Sequence, residues 1–180
     1  MHDRSSNHRA AWVTAALDEF ERPLVASAAR ITGDVHTARD VVQEAFLRLC
    51  GQDRGRVGDH VKAWLFTVCR RLALDELRRE RRMDAADGTV LAEWTGRETD
   101  PAQTAEIRDE AGRAIGLLDD LPPNQREVLV LKFRHGLMYR EIAQVTGLSA
   151  GNVGFLVHTG LKTLRARMET KVRAATGGAS

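Results

Sequence analysis

From Asp40 to Arg82 the chain places apolar residues at helical spacing and gathers arginines beside them. The segment reads DVVQEAFLRLC, then a glycine-containing GQDRGRVGDH, then VKAWLFTVCRRLALDELRRERR. This predicts two amphipathic helices joined by a loop. In the second helix Val61, Leu65, Val68 and Leu72 fall at i, i+4, i+7 and i+11, the expected buried stripe. Arg71, Arg78 and Arg82 repeat at i, i+7 and i+11 on a neighbouring face, with Arg70 and Arg81 further round. One side packs and the other carries cations, as suits a helix that lies along a polyanion.

Helical patterning also governs the rest of the chain, and no alternating strand of useful length interrupts it. The fold class is therefore all-α. Trp12, Ala16 and Phe20 begin an N-terminal helix that Leu24 and Ile31 continue, with Pro23 expected to kink or restart it. Gly33-Asp34 breaks the pattern. A further helix runs from about His36 to Leu49 and buries Val41, Val42, Ala45, Phe46 and Leu49. Residues 1–82 thus make a three- to four-helix bundle. Over 83–120 the turn-rich ADGT and TGRETDP predict a flexible linker, with a short helix from about Gln103 to Leu118. From 121 to 180 a second helical domain opens with Leu121-Pro122-Pro123-Asn124, whose prolines suit a helix start. Its first helix carries Val128, Leu129, Leu131, Lys132 and Phe133 and closes at His135-Gly136, a glycine C-cap. MYREIAQVTGLSAGNVGFLVHTGLKTLRARM then reads as a helix-turn-helix. Ala143 is small where two helices meet, Gly147 permits a left-handed turn, and Ile142, Leu148 and Val153 fill the space between. Ser149 is a suitable N-cap for the second, recognition helix.

Charge follows the same division. Residues 1–82 hold 15 Lys/Arg against 12 Asp/Glu, residues 83–120 hold 3 against 10, and residues 121–180 hold 9 against 3. Two basic ends flank an acidic middle, the distribution expected of two nucleic-acid contacts joined by a segment that avoids DNA. A coil of 38 residues spans about 35 Å and stretches to about 125 Å. Two contacts one to two turns apart on a duplex lie about 35–70 Å from each other, within that reach.

Several classes of function find no residues to serve them. MHDRSSNHRAAW lacks the apolar core of a signal peptide, and no run approaches the ~18 apolar residues of a membrane span. A cytoplasmic protein without membrane insertion is expected. Cys50 and Cys69 lie among apolar helix positions without metal-like spacing and read as small buried hydrophobes. The six histidines are scattered, so no metal site or cofactor is expected. The chain has no G-x-x-x-x-G-K-[ST], no H-E-x-x-H and no carboxylates at metal spacing, which argues against an enzyme and a small-molecule substrate.

DVVQEAFLRL, AWLFTV and RRLALDELRR resemble region 2 of the bacterial sigma-70 family, in its extracytoplasmic-function (ECF) subgroup. The similarity begins near PLVASAARITGD and resumes in the last third, where the helix-turn-helix resembles region 4. The resemblance implies an RNA polymerase sigma factor without catalytic chemistry of its own. Its implied partners are core RNA polymerase, through the clamp of the largest subunit and the flap of the second-largest, promoter DNA, and an anti-sigma factor. It implies that Asp40, Gln43, Glu44 and Arg48 on the polar face of the second helix contact polymerase. The arginine-bearing helix would capture the melted strand of the −10 element through Trp64, Arg70, Arg71, Arg78, Arg81 and Arg82. Trp64 lies at the edge of the apolar stripe, open either to a core role or to stacking on a splayed base. Many relatives carry asparagine where Arg71 stands, and an arginine offers only donors. For the −35 element the candidates are Ser149, Asn152, Phe155, His158, Lys162 and Arg165. Asn152 suits either an adenine edge or a capping role, and Phe155 either a thymine methyl or a protein partner. Lys162 and Arg165 suit phosphates. Two other readings compete: a free-standing helix-turn-helix regulator, and an interaction module that holds polymerase or an inhibitor without initiating transcription.

Overall fold

In the computed structural model the backbone is described for residues 3–86, 118 and 121–177, and side chains for 10–83, 118 and 121–170. Every regular element among them is helical. The chain divides into two compact units, residues 1–107 and 108–180. The short helix expected at 103–118, and nearly all of the expected linker, lie outside the described residues.

The N-terminal unit is built from α1 (Asp3–Thr32), α2 (Val35–Cys50), a single turn α3 (Arg54–Val57), a 3-10 turn (Gly58–His60) and α4 (Val61–Ala86). The helix α1 starts nine residues before Trp12 and continues through Pro23 as one element without restarting. The proline costs the helix the N–H that would meet the Glu19 carbonyl, and Glu19 lies on the exposed side where water can replace it. Gly33 ends α1 in the left-handed region at φ 78°. Its N–H donates to the Ala29 carbonyl at 2.8 Å. Asp34 then caps α2, its Oδ2 accepting from the Thr37 N–H at 2.6 Å and the Thr37 hydroxyl at 2.7 Å. Those bonds, the backbone one foremost, hold the Asp34 carboxyl below the usual carboxylate range.

The three long helices pack against one another. Phe20, Leu24 and Ala28 of α1 and Ala38, Val42, Ala45 and Leu49 of α2 are all buried in the bundle these helices form. From α4 the buried line is Leu65, Phe66, Cys69, Ala73 and Leu77. This corrects the expected stripe: Leu65 is fully buried, but Val61, Val68 and Leu72 are only half-buried. The helix is apolar around more than half its girth, and contact with both α1 and α2 turns it so that Phe66 and Cys69 face inward. Cys50 is a second correction, being exposed at the end of α2. The segment 51–60 is also not a plain loop. Asp53 Oδ1 accepts from the Gly55 N–H at 3.0 Å and starts α3, while Val57, 5% exposed, pins the turn to the core.

The C-terminal unit holds α5 (Pro123–Leu129), a π-helical turn (Val130–Arg134), α6 (Tyr139–Thr146) and α7 (Ala150–Gly177). Pro123 stands at the first helical position, and Arg126 donates to the carbonyls of Leu118 and Leu121 at 3.0 and 3.3 Å. At the wide turn the His135 N–H reaches the Val130 carbonyl at 3.1 Å, and Gly136 takes φ 67° as the C-cap reading expects. Ile142 and Val153 are fully buried between α6 and α7, with Ala143 and Leu148 half-buried beside them. Gly147 makes the left-handed turn at φ 77°. Gly160 is buried where α7 crosses α5, and a Cβ there would lie 2.9 Å from Leu129 Cδ1.

Candidate nucleic-acid interface

Three exposed helix faces carry the residues singled out above. On α2, Asp40, Gln43 and Arg48 are exposed and Glu44 is half-buried. Glu44 Oε1 accepts from Arg48 Nε at 2.8 Å, an exposed i,i+4 pair worth a few tenths of a kcal/mol. Its effect is to hold both side chains along the helix. Between them lies Leu47, 62% exposed, which the sequence reading missed. Its signal was available: positions 40, 43 and 47 share a helix face, and a large apolar residue there has nothing of its own unit to cover it.

On α4, Arg71, Arg78 and Arg82 are exposed and Arg70, Arg81 and Trp64 are half-buried. Trp64, Arg71 and Arg78 follow at seven-residue intervals, so an aromatic edge and two cations run along one line of the helix. Arg78 pairs with Asp75 at 2.8 Å, Arg79 pairs with Glu76, and Arg82 Nε donates to the Arg78 carbonyl at 3.3 Å. These exposed pairs are cheap to exchange for a phosphate. The structure therefore brings five cations of the candidate set onto one helix, and it leaves Trp64 at the boundary between core and surface.

On α7, Asn152, Phe155, His158, Lys162 and Arg165 are all exposed. Ser149 caps the helix, its Oγ accepting from the Asn152 N–H at 3.2 Å. Capping thus belongs to Ser149, which leaves the Asn152 amide facing outward. Tyr139, on α6, stands 3.6 Å from where a Gly154 Cβ would be, and Lys132 Nζ lies 5.2 Å from the centre of its ring. Contact between the aromatic ring and a bare stretch of α7 fixes how the two helices of the motif meet.

Among the described residues no three His, Cys, Asp or Glu side chains group as a metal site, and no helix is long and apolar enough to cross a membrane. Burial pushes the Cys69 thiol up to about 12, so it stays protonated at neutral pH.

A bundle with a cationic helix in one unit and a helix-turn-helix in the other defines a nucleic-acid-binding protein of two modules. Residues 17–83 match Sigma-70 region 2 and residues 112–164 match Sigma-70, region 4. The chain is 34% identical over 167 residues to the ECF RNA polymerase sigma factor EcfG of Rhodopseudomonas palustris, covering 86% of this chain and 90% of that one. It is 37% identical over 155 residues to the probable ECF RNA polymerase sigma factor SigI of Mycobacterium tuberculosis, covering 81% of this chain and 52% of that longer protein. The chain belongs to the sigma-70 family of RNA polymerase sigma factors, in its ECF subgroup. The same fold occurs in the sigma factor RpoE of Bartonella quintana, solved in complex with the anti-sigma factor NepR. The TM-score is 0.56 at 21% identity, over 87% of this chain and 96% of that one.

Proposed function

We propose that this sigma factor directs core RNA polymerase to promoters with a −10 and a −35 element and opens them by trapping unpaired bases. The α2 face docks on the clamp of the largest subunit, with Leu47 as an apolar centre and Asp40, Gln43, Glu44 and Arg48 as its polar rim, the composition of protein interfaces. The α4 line of Trp64, Arg71 and Arg78, extended by Arg70, Arg81 and Arg82, takes the single strand of the −10 element. The α7 face takes the −35 duplex, with Lys162 and Arg165 on phosphates and Ser149, Asn152, Phe155 and His158 nearest the bases. The C-terminal unit also meets the flap of the second-largest subunit. Residues 1–82 serve as the polymerase and −10 module, 83–120 as the acidic strap and 121–180 as the −35 module. Bond formation belongs to the polymerase, so the chain needs no cofactor and works in the cytoplasm with its enzyme. By analogy with the RpoE–NepR pair, a dedicated anti-sigma protein covers these faces when the factor is idle.

The observation that carries this reading is the alignment of an aromatic edge with cations along α4. Single strands are held by stacking platforms and positive grooves together, a pairing a merely solvated basic face does not require. The test is a gel shift with promoter duplex, purified chain and core RNA polymerase, followed by run-off transcription. A specific shift and transcripts are expected only when both proteins are present. A chain that shifts duplex equally well alone is a free-standing regulator. Absence of any affinity for core enzyme in a pull-down defeats the reading outright.

A further inference from the structure

The recognition helix α7 is unusual in its first three turns. Between Ala150 and Leu161 there is no Lys, Arg, Asp or Glu. Arginine or lysine held bidentate to guanine is the commonest specific contact in the major groove, and this stretch cannot make it. At its centre stands Phe155, 63% exposed. Gly151, one turn earlier on the same face, is exposed, and a Cβ there would meet nothing within 4 Å. The helix surface is therefore low on the N-terminal side of the projecting ring. Asn152 and His158, one turn to either side, are the exposed polar groups beside it.

Cations resume at Lys162 and Arg165, about 10 and about 15 Å further along the axis from Phe155. Seven residues of helix return to within about 20° of the same direction, so Lys162 lies on the Phe155 face. A major groove about 12 Å wide accommodates this: a ring on its floor, a cation at its phosphate rim.

Resting on the −35 assignment of α7 above, we propose that Phe155 sets promoter specificity by packing on the 5-methyl group of thymine in the upstream element. Of the four bases, thymine alone offers an apolar group at the major-groove edge. Covering a methyl with an otherwise wet ring recovers about 0.8 kcal/mol of hydrophobic transfer, about a fourfold change in affinity. Gly151 lets the backbone approach closely enough for the ring to reach it. Asn152, with an amide that pairs bidentately with adenine N6 and N7, supplies the neighbouring readout. Phe155 is thus a specificity residue, and the phosphate grip belongs to Lys162 and Arg165.

The test uses holoenzyme on a promoter found by mapping transcription starts. Each thymine of the upstream element is replaced in turn by uracil, which lacks only the methyl. Wild-type holoenzyme is expected to lose about three- to fivefold in affinity at one or two positions, and Phe155→Ala holoenzyme to bind thymine and uracil alike there. Phe155→Leu, which keeps an apolar tip, should retain part of the preference. Equal binding of thymine and uracil at every position by wild type, with Lys162→Ala still weakening binding, overturns the role of Phe155 and leaves the −35 assignment standing. An upstream element that the holoenzyme neither protects nor requires overturns both.

Discussion

Asp34 shows how one carboxylate positions a whole helix face. It receives the N–H and hydroxyl of Thr37 and so fixes where α2, with Asp40, Gln43 and Glu44, begins. Loss of a capping side chain typically costs about 1 kcal/mol. Asp34→Ala should lower stability by about that much in urea titration, and Asp34→Asn by less. Since the folded carboxyl lies below its ordinary value of 3.8, this stabilisation is present above that pH and fades as acid protonates the group. The Asp34→Ala and wild-type stabilities should therefore converge below about pH 4. Cysteine chemistry separates as sharply. Cys50 is exposed and Cys69 is 2% exposed. A maleimide at pH 7 should add once to the folded protein, at Cys50, and twice only after unfolding. For Cys69 the sign runs the other way in pH. The unfolded thiol loses its proton from about 9.0 while the folded one holds it to about 12, so stability falls with rising pH across that interval. Cys69→Ala should flatten that alkaline slope.

At the scale of elements, the crossing of α5 and α7 depends on Gly160 having no side chain. An added methyl would lie 2.9 Å from Leu129 Cδ1 and 3.4 Å from Gln125 Cβ, with Leu129 itself 2% exposed and unable to yield. Overpacking of this kind costs about 1–3 kcal/mol. Gly160→Ala should speed amide exchange along α5 and the buried part of α7, while α2 and α4 exchange as before. Nothing in the sequence pattern marked Gly160, because a glycine inside a helical run reads as a weakness until its neighbour is known. Helix identity, by contrast, was legible from spacing, as were the left-handed glycines at 136 and 147 and the Ser149 cap. What escaped was rotation. The α4 pattern offers Val61, Val68 and Leu72 or Phe66, Cys69 and Ala73 as a buried line, and only packing against two partners decides between them. Cys50 failed for a related reason: it follows the buried Leu49 but lies about 100° round the helix from it. The short turns at 54–60 hide behind glycines that Asp53 and Val57 override. For the candidate faces, the charged residues were legible one by one. Leu47 lies at the same helical spacing and could be read with them, though its meaning lies in being uncovered.

For the whole molecule, a net charge of +2 conceals two basic ends and an acidic middle. Affinity for nucleic acid in such a chain depends on which local cations meet phosphates, and salt reads that number. Each phosphate neutralised on a single strand contributes about 0.7 to the slope of log affinity against log salt. Replacing Arg78 and Arg82 together by alanine should therefore lower the slope for promoter opening by about 1.4, measured with holoenzyme between about 50 and about 200 mM salt. An unchanged slope removes both residues from the strand-binding surface.

The wide turn at Val130–Arg134 bears on how this fold can vary over evolutionary time. Its hydrogen bond from His135 back to Val130 accommodates one residue more than a regular α-turn. Deleting one residue there would restore ordinary pitch and leave the faces on either side nearly in register, since the wide turn holds its extra residue within one turn. Leu129 would keep its seat against Gly160. A single-residue deletion should therefore be tolerated in this stretch, whereas one inside the regular part of α5, which turns the following face by about 100°, should not.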